Sequence, residues 1–563
     1  MKKKHLTSFF LGIGAIVLLN ILAGAYFFRV DLTEEQRYSI SPPTKKILRG
    51  LDDEIYIKIY LEGDFPPGFK RLQKAIRETL DEFKVYAGKK IRYRFIDPSV
   101  AKDSKERAKF YKELVDKGIN PTNIFANENG KRVEKLIFPG AMMYYKDYEL
   151  PVSLFKVTDQ RIQGAPSPDQ ILNQSVENAE YNLISGIRQL TADNRLRIGF
   201  IEGHGELEDP EKDDIVRSLQ QYYDVYLVNL PQSEIIDTSL KAIIVAKPDS
   251  AFTDEDKYKM DQYIMQGGKA LFFIDAVGVY MDSVLRDKGS FTFPYEHNLT
   301  DMLFKYGVRL NSVLIQDLNS GVIPMVVGNM GDQPQIKPMY WPYHPLANSF
   351  TRHPIVKNLG AIQFKFVTTI DTVKADGIHK TPLVFTSKYS RIRATPTFIT
   401  FNEARQQPDP KGFDKGPYPV AYLLEGKFNS IFKSRSQSRY KGFIKQSKPT
   451  KILVCSDGDL LRNDISRKTG KPAPLGMDFV MQTTFSNKDF ALNAVDFMID
   501  EQGTIMAKNK EVMLRPLDKL KLQEERTYWQ ILNMVFPVFL VVLFGFVFNF
   551  IRRRNFSGGQ VEE

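Results

Sequence analysis

Two uncharged apolar stretches frame the chain, and between them short apolar runs alternate with amphipathic ones. No side chain from 6 to 28 is charged, and at about 1.5 Å rise per residue that length crosses a hydrocarbon core of about 30 Å. A second uncharged run covers 527–551, with Trp529 near its start and Pro537 inside it; a membrane helix tolerates such a proline. The pattern predicts two transmembrane helices, 6–28 and 527–551.

The intervening region reads as α/β. Alternating IYIKIYL predicts a strand over 55–61, and Leu72, Ile76, Leu80 and Phe83 recur at helical spacing within 69–86. A strand over 91–96, a helix over 102–117, and strands over 133–138 and 141–145 follow. A Gly/Pro/Ser-rich linker at 164–168 then precedes a helix over 169–190, which closes an N-terminal α/β domain of 31–190.

A cleaner rhythm starts at Arg197. Strands are predicted over 198–201, 225–230, 242–246 and 270–274, with helices over 213–222 and after Thr253, where Asp256 completes a capping-box pattern; Gly267-Gly268 stops the latter helix. A strand over 451–455 and a helix over 486–500 resume that rhythm. Strands alternating with helices imply parallel pairing, hence a doubly wound α/β domain over 195–500. Within it, 281–450 is proline- and aromatic-rich and reads as an elaboration inserted into or following the sheet. A helix within 505–526 connects to the second span.

Charge sets the orientation. The formal net charge is +11. Lys2, Lys3 and Lys4 precede the first span, and Arg552, Arg553 and Arg554 follow the second. The positive-inside rule places both termini, 1–5 and 552–563, in the cytoplasm and the large domain on the opposite, periplasmic side of a bacterial inner membrane. Ala23-Gly24-Ala25 resembles a signal-peptidase site. The run is much longer than a signal core and continues through Tyr26, Phe27 and Phe28, which favours a retained anchor.

Composition narrows the function. Of 563 residues, 43% are hydrophobic and 26% charged, which excludes a wholly disordered chain. A mean hydropathy of −0.30 excludes a polytopic membrane protein. The single cysteine, Cys455 in the apolar run ILVC, excludes disulfides and cysteine-based zinc sites and reads as a buried inert thiol. No GxxxxGK[ST] or GxSxG occurs, so the chain is neither a P-loop ATPase nor a serine hydrolase of that type. No basic run interleaves with aromatics inside, so nucleic acid is not an expected partner. No cofactor is expected.

Open α/β sheets bind ligands beyond the carboxyl ends of their strands. There the sequence places Glu202, His204 and Glu206 after the first strand, Asp275 after the fourth, and Asp457 and Asp459 after the late one. If those strands are neighbours, these residues form a ligand or partner site, with no catalytic or metal role assigned. The alternative is that acidic and glycine residues there simply build strand-to-helix turns. The aromatic stretch 338–345 is read as a stacking platform or as packing onto its own domain.

Several stretches, in order, resemble the family of the gliding-motility protein GldG: Arg29-Val30-Asp31-Leu32-Thr33, Arg37-Tyr38-Ser39-Ile40-Ser41, IGFIEGHGE at 198–206, Met260-Asp261-Gln262-Tyr263-Ile264, GGKALFFID at 267–275, Leu424-Glu425-Gly426-Lys427-Phe428, and Ser456-Asp457-Gly458-Asp459. The two-span layout matches as well. The resemblance implies an auxiliary, substrate-binding-like component of an ABC-type transporter, acting with a separate GldF-like multi-span permease and a GldA-like ATPase. It also implies a class I glutamine amidotransferase-like central domain. The cysteine nucleophile of true amidotransferases has no counterpart here, so that activity is not carried over. The expected function is a membrane-anchored, non-catalytic periplasmic subunit associated with gliding motility. The alternatives are a structural bridge to an envelope motility or secretion machine, and a periplasmic metal-dependent hydrolase using Glu202, His204, Asp275 and Asp457.

Overall fold

The computed structural model describes residues 11–15, 17–18, 39–100, 103–128, 131–155, 167–192, 195–285, 288–330, 333–406, 408–433, 442–466, 469–509 and 524–556. They belong to two units, Met1–Glu511 and Val512–Glu563. Residues 11–15 and 17–18 are helical; the rest of the first expected span lies outside the described residues. So do 29–33, most of the linker at 164–168, both chain ends and 510–523 of the connecting helix. The described start of that helix, Thr504–Asn509, is a 3-10 segment.

In the first unit, α1 (Pro42–Arg49), β1 (Ile55–Ile59), α2 (Pro67–Ala87) and β2 (Ile91–Phe95) lead into α3 (Ser104–Asp116). A hairpin of β3 (Thr122–Glu128) and β4 (Lys131–Ile137) follows, then β5 (Gly140–Tyr145), β6 (Tyr148–Ser153) and α4 (Pro168–Leu190). A four-stranded sheet runs β2-β1-β5-β6. Its β1–β2 pair, joined through α2, is parallel and its other pairs are antiparallel. The apolar stripe of α2 (Leu72, Ile76, Leu80, Phe83) and that of α4 (Leu183, Ile184, Ile187) share one core with Ile55, Ile57 and Ile59. Leu114 of α3 packs with Tyr60, Phe138 and Met142 in a separate small core. Ser167 caps α4 in a full capping box with Gln170.

The larger sheet contains β7 (Arg197–Glu202), β8 (Asp224–Asn229), β9 (Leu240–Ala246) and β10 (Lys269–Phe273), with α5 (Asp213–Gln220) and α6 (Asp254–Met265) between them; α7 (Thr300–Tyr306) follows. The long hairpin β11 (Ser320–Met330) and β12 (Gln333–Ala347) comes next. Then β13 (Ser349–Phe350), β14 (Ile378–Phe385), β15 (Pro419–Gly426) and β16 (Thr450–Cys455) rejoin the sheet, followed by α8 (Asn487–Ile499). The order is β13-β14-β15-β16-β10-β9-β7-β8. Pairing is parallel from β8 to β16 and antiparallel beyond it.

Both faces of this sheet are covered, and the strands' two-residue period shows how. Leu271, Phe273, Leu453 and Cys455 join a core with Ile215 of α5 and Phe490 and Ala494 of α8. Their chain neighbours Ala270, Phe272, Ile452 and Val454 join a second core with Met260 and Ile264 of α6 and Met302 and Tyr306 of α7. The stretch 281–450 is therefore an insertion between β10 and β16 that supplies three antiparallel strands to the same sheet. The parallel pairing expected from the strand–helix rhythm holds from β8 to β16, and the inserted strands add antiparallel pairs beyond it.

The second unit is α9 (Arg526–Phe556), with Pro537 inside it. Its segment Arg526–Arg554 is long and apolar enough to cross a membrane, the one such helix among the described residues.

Candidate functional site

Strand order decides which of the expected site residues meet. Because β16 lies beside β10, Asp275 just past β10 and Asp457 and Asp459 just past β16 come together, with one oxygen from each lying within 4.8 Å of the others. Lys247, which follows β9, brings its ammonium to Asp275 and, at 2.7 Å, to Asp459. The backbone N–H of Gly458 donates to the second Asp275 oxygen at 2.6 Å. Asp457 Oδ2 accepts from the Lys365 backbone N–H at 2.6 Å, whereas its Oδ1, on a side chain with no exposure, has no hydrogen-bond partner.

The electrostatics follow from three carboxylates sharing one buried corner. Burial pushes the Asp457 carboxyl well above the usual range, and the charges of Asp275 and Asp459 push it further. Burial also raises Asp275, against the pull of Lys247. At Asp459 the opposing cations Lys247 and Lys365 overcome burial and hold the group at about 2. The three carboxyls are therefore driven apart, Asp457 upward and Asp459 downward.

Close backbone approach makes this corner possible. Lys247 sits at a φ of 55°, in the left-handed region. A Cβ on Gly458 would lie 2.7 Å from the Lys247 Cα. Gly458→Ala is therefore expected to cost about 1–3 kcal/mol through overpacking and to separate the Gly458 N–H from Asp275. Urea unfolding midpoints check this against Gly328→Ala, where a Cβ would meet nothing within 4 Å; equal midpoints for the two variants would refute it.

Glu202, His204 and Glu206 do not join this cluster, which corrects the expectation of a single converging site. β9 intervenes between β7 and β10. Glu202 instead pairs with Lys212 at 2.6 Å. His204 stacks on Phe252 with ring centres 3.7 Å apart, and its Nε2 lies 3.2 Å from Asp256 Oδ2 at the start of α6. Its backbone N–H donates to Glu206 Oε2 at 2.7 Å. Burial pulls the His204 imidazole down, but the Glu206 and Asp256 carboxylates outweigh it and raise the group. Asp256 also accepts a 2.6 Å hydrogen bond from the hydroxyl of Thr253, the residue that caps the helix. The histidine thus braces the turn after β7 against a helix start.

Cys455 is wholly buried, and burial raises its thiol well above the ordinary value. In the aromatic stretch, Trp341 and Tyr343 are fully buried and only Tyr340 is largely exposed, at 61%; packing onto its own domain is what the stretch does. Two clefts, of about 320 and 540 Å³, run along the seam between the N-terminal domain and the large sheet and share Ser185, Gln189, Tyr222 and Tyr223. Neither these residues nor Lys247 and Lys365 stood out in sequence, since no local pattern marks a seam or a lysine that enters from another strand.

Known proteins place the chain in context. Residues 195–494, more than half of it, match a family described as "ABC-type uncharacterized transport system". Residues 34–144 match a domain of unknown function. An uncharacterized protein of Borreliella burgdorferi is 20% identical over 98% of this chain and 99% of its own length. Among solved structures, the mmIFT52 N-terminal domain aligns over 54% of this chain and 97% of its own, at 13% identity and a TM-score of 0.30.

Proposed function

The chain belongs to the ABC-type transport-system auxiliary family, and from that premise we propose that it is a membrane-anchored, non-catalytic subunit that couples a partner or ligand to a transporter. The family match over the whole large sheet carries this reading. The apolar helix Arg526–Arg554 supports membrane attachment. The chain has no P-loop, so energy comes from a separate ATPase, and one or two spans are too few for a translocation path, so a multi-span permease completes the complex. On this reading the large domain faces the periplasm, both termini are cytoplasmic, and the system serves gliding motility through GldF- and GldA-like partners, as the sequence motifs suggest. The non-catalytic assignment rests on the strand-end carboxylates being engaged by Lys247 and backbone N–H groups.

A mild-detergent pull-down of the full-length chain with mass spectrometry tests it. Co-purification of a multi-span permease together with a P-loop ATPase is the expected result. Recovery of the chain alone, or with envelope proteins only, would overturn it.

A further inference from the structure

We propose that Asp275, Asp457 and Asp459 form a binding site for one divalent cation of calcium size, with Lys247 as the displaceable internal cation that occupies the site in its absence. Two observations beyond the acidic cluster point to a ligand. Asp457 is wholly buried and leaves Oδ1 without a partner. His344, from the insertion, is 9% exposed, also leaves its ring Nε2 without a partner, and packs with its ring centre 5.5 Å from that of Phe366, next in the chain to the Lys365 whose N–H bonds Asp457. Buried polar atoms left unmatched cost about 1–3 kcal/mol each, so two of them beside one acidic corner mark a place built for something more than is bound there.

Coordination chemistry selects the cation. Calcium accepts about six to eight oxygens in flexible geometry, whereas magnesium demands a near-ideal octahedron. Three carboxylates from two separate turns, with one oxygen of each within 4.8 Å of the others, suit the looser shell. The ligands come from two adjacent strand ends, Asp275 past β10 and Asp457 and Asp459 past β16, and those strands are held in register by Phe273 opposite Cys455. Gly458 allows the second turn to approach. Lys247 already sits where a cation belongs, between Asp275 and Asp459, but it does not reach Asp457. Arg462 adds a second cation, 3.6 Å from Asp459 Oδ1, and Asp457 Oδ1 is still left without a partner. Lys247 is the most exposed group of the cluster, at 21% of its side chain, so its flexible stem can swing toward solvent as an ion enters. Carboxylate-rich sites of this kind suit hard, oxygen-preferring cations.

The test is calorimetric titration of calcium chloride into the full-length chain, purified in detergent and stripped with chelator, with magnesium chloride in parallel. One calcium per chain is expected, with magnesium at least tenfold weaker. Asp457→Asn and Asp459→Asn should each weaken calcium at least tenfold, and Lys247→Met should tighten it at least tenfold by removing the competing ammonium. Circular dichroism confirms that each variant is folded, and two separate carboxylate variants guard against the loss of either. No calcium heat in the wild-type chain would overturn the proposal, and so would calcium binding that both carboxylate variants retain. Binding seen only in Lys247→Met would also overturn it, because the lysine would then be the permanent occupant.

Discussion

Replacing Arg188 with methionine is expected to lower stability by about 3–5 kcal/mol, the usual cost of leaving one partner of a buried ion pair behind. Arg188 stands in the last turn of α4, in the N-terminal domain, and reaches α8 beneath the large sheet. Its guanidinium bonds Asp496 at 2.6 Å and Asp500 at 2.9 Å. Asp496 also accepts from Tyr181 and, at 3.1 Å, from Tyr223. This is the polar seam that ties the N-terminal domain to the sheet domain, and the two clefts flank it. Burial raises the Asp496 carboxyl, but the Arg188 charge and the Tyr181 hydrogen bond outweigh it, and the net shift is downward. A carboxyl lowered in the folded state adds stability above its unfolded value near 3.8, and that contribution is lost as pH falls through the folded value. The methionine variant should lack this acid-dependent part, while Arg188→Met with Asp496→Leu should recover much of the loss, since apolar replacement of a buried pair is often neutral. Urea midpoints between pH 3 and 8 measure both effects. A single variant as stable as wild type would show that the seam does not hold the domains together.

How far the sequence led is clear from particular elements. The strands expected over 225–230, 242–246 and 270–274 are found at Asp224–Asn229, Leu240–Ala246 and Lys269–Phe273; the last two are central parallel strands, which are written as unbroken apolar runs, whereas the first is a half-exposed edge strand. The Thr253 cap is real, its hydroxyl accepting from the Asp256 N–H, since an N-cap is a local signal, while the Asp256 carboxylate accepts from the Thr253 hydroxyl. What stayed hidden was non-local. Ile378–Phe385 and Pro419–Gly426 carry internal prolines or a bulged register, and their place beside β16 depends on a partner far away in sequence. In the candidate site, the carboxylates were legible as strand-end residues. Their separation into two clusters was not, because it depends on β9 lying between β7 and β10. Lys247 was missed for the same reason, and His344 was visible only as part of an aromatic stretch.

The corner that hides this information also makes a signed prediction. Asp457→Asn is expected to stabilise the chelator-treated protein at neutral pH. Burial first, then Asp275 and Asp459, raises the Asp457 carboxyl in the folded state. The unfolded chain ionises the same group near 3.8. A carboxyl raised on folding costs nothing below the unfolded value, and its cost grows by about 1.4 kcal/mol per pH unit above it until the folded value is reached. Asparagine carries no charge at any pH, and its oxygen can still accept from the Lys365 N–H, so the cost disappears. The difference between variant and wild type should therefore be small at pH 4 and favour asparagine at neutral pH. Urea midpoints with chelator present give that difference directly. A variant less stable than wild type by the same amount at every pH would mean that Asp457 is an ordinary structural acceptor. Added calcium should reverse the order at neutral pH, because only the wild-type carboxylate gains from the ion. A residue that weakens the fold until a cation arrives is retained for the cation, which is why stability and ion binding should move in opposite directions in this one substitution.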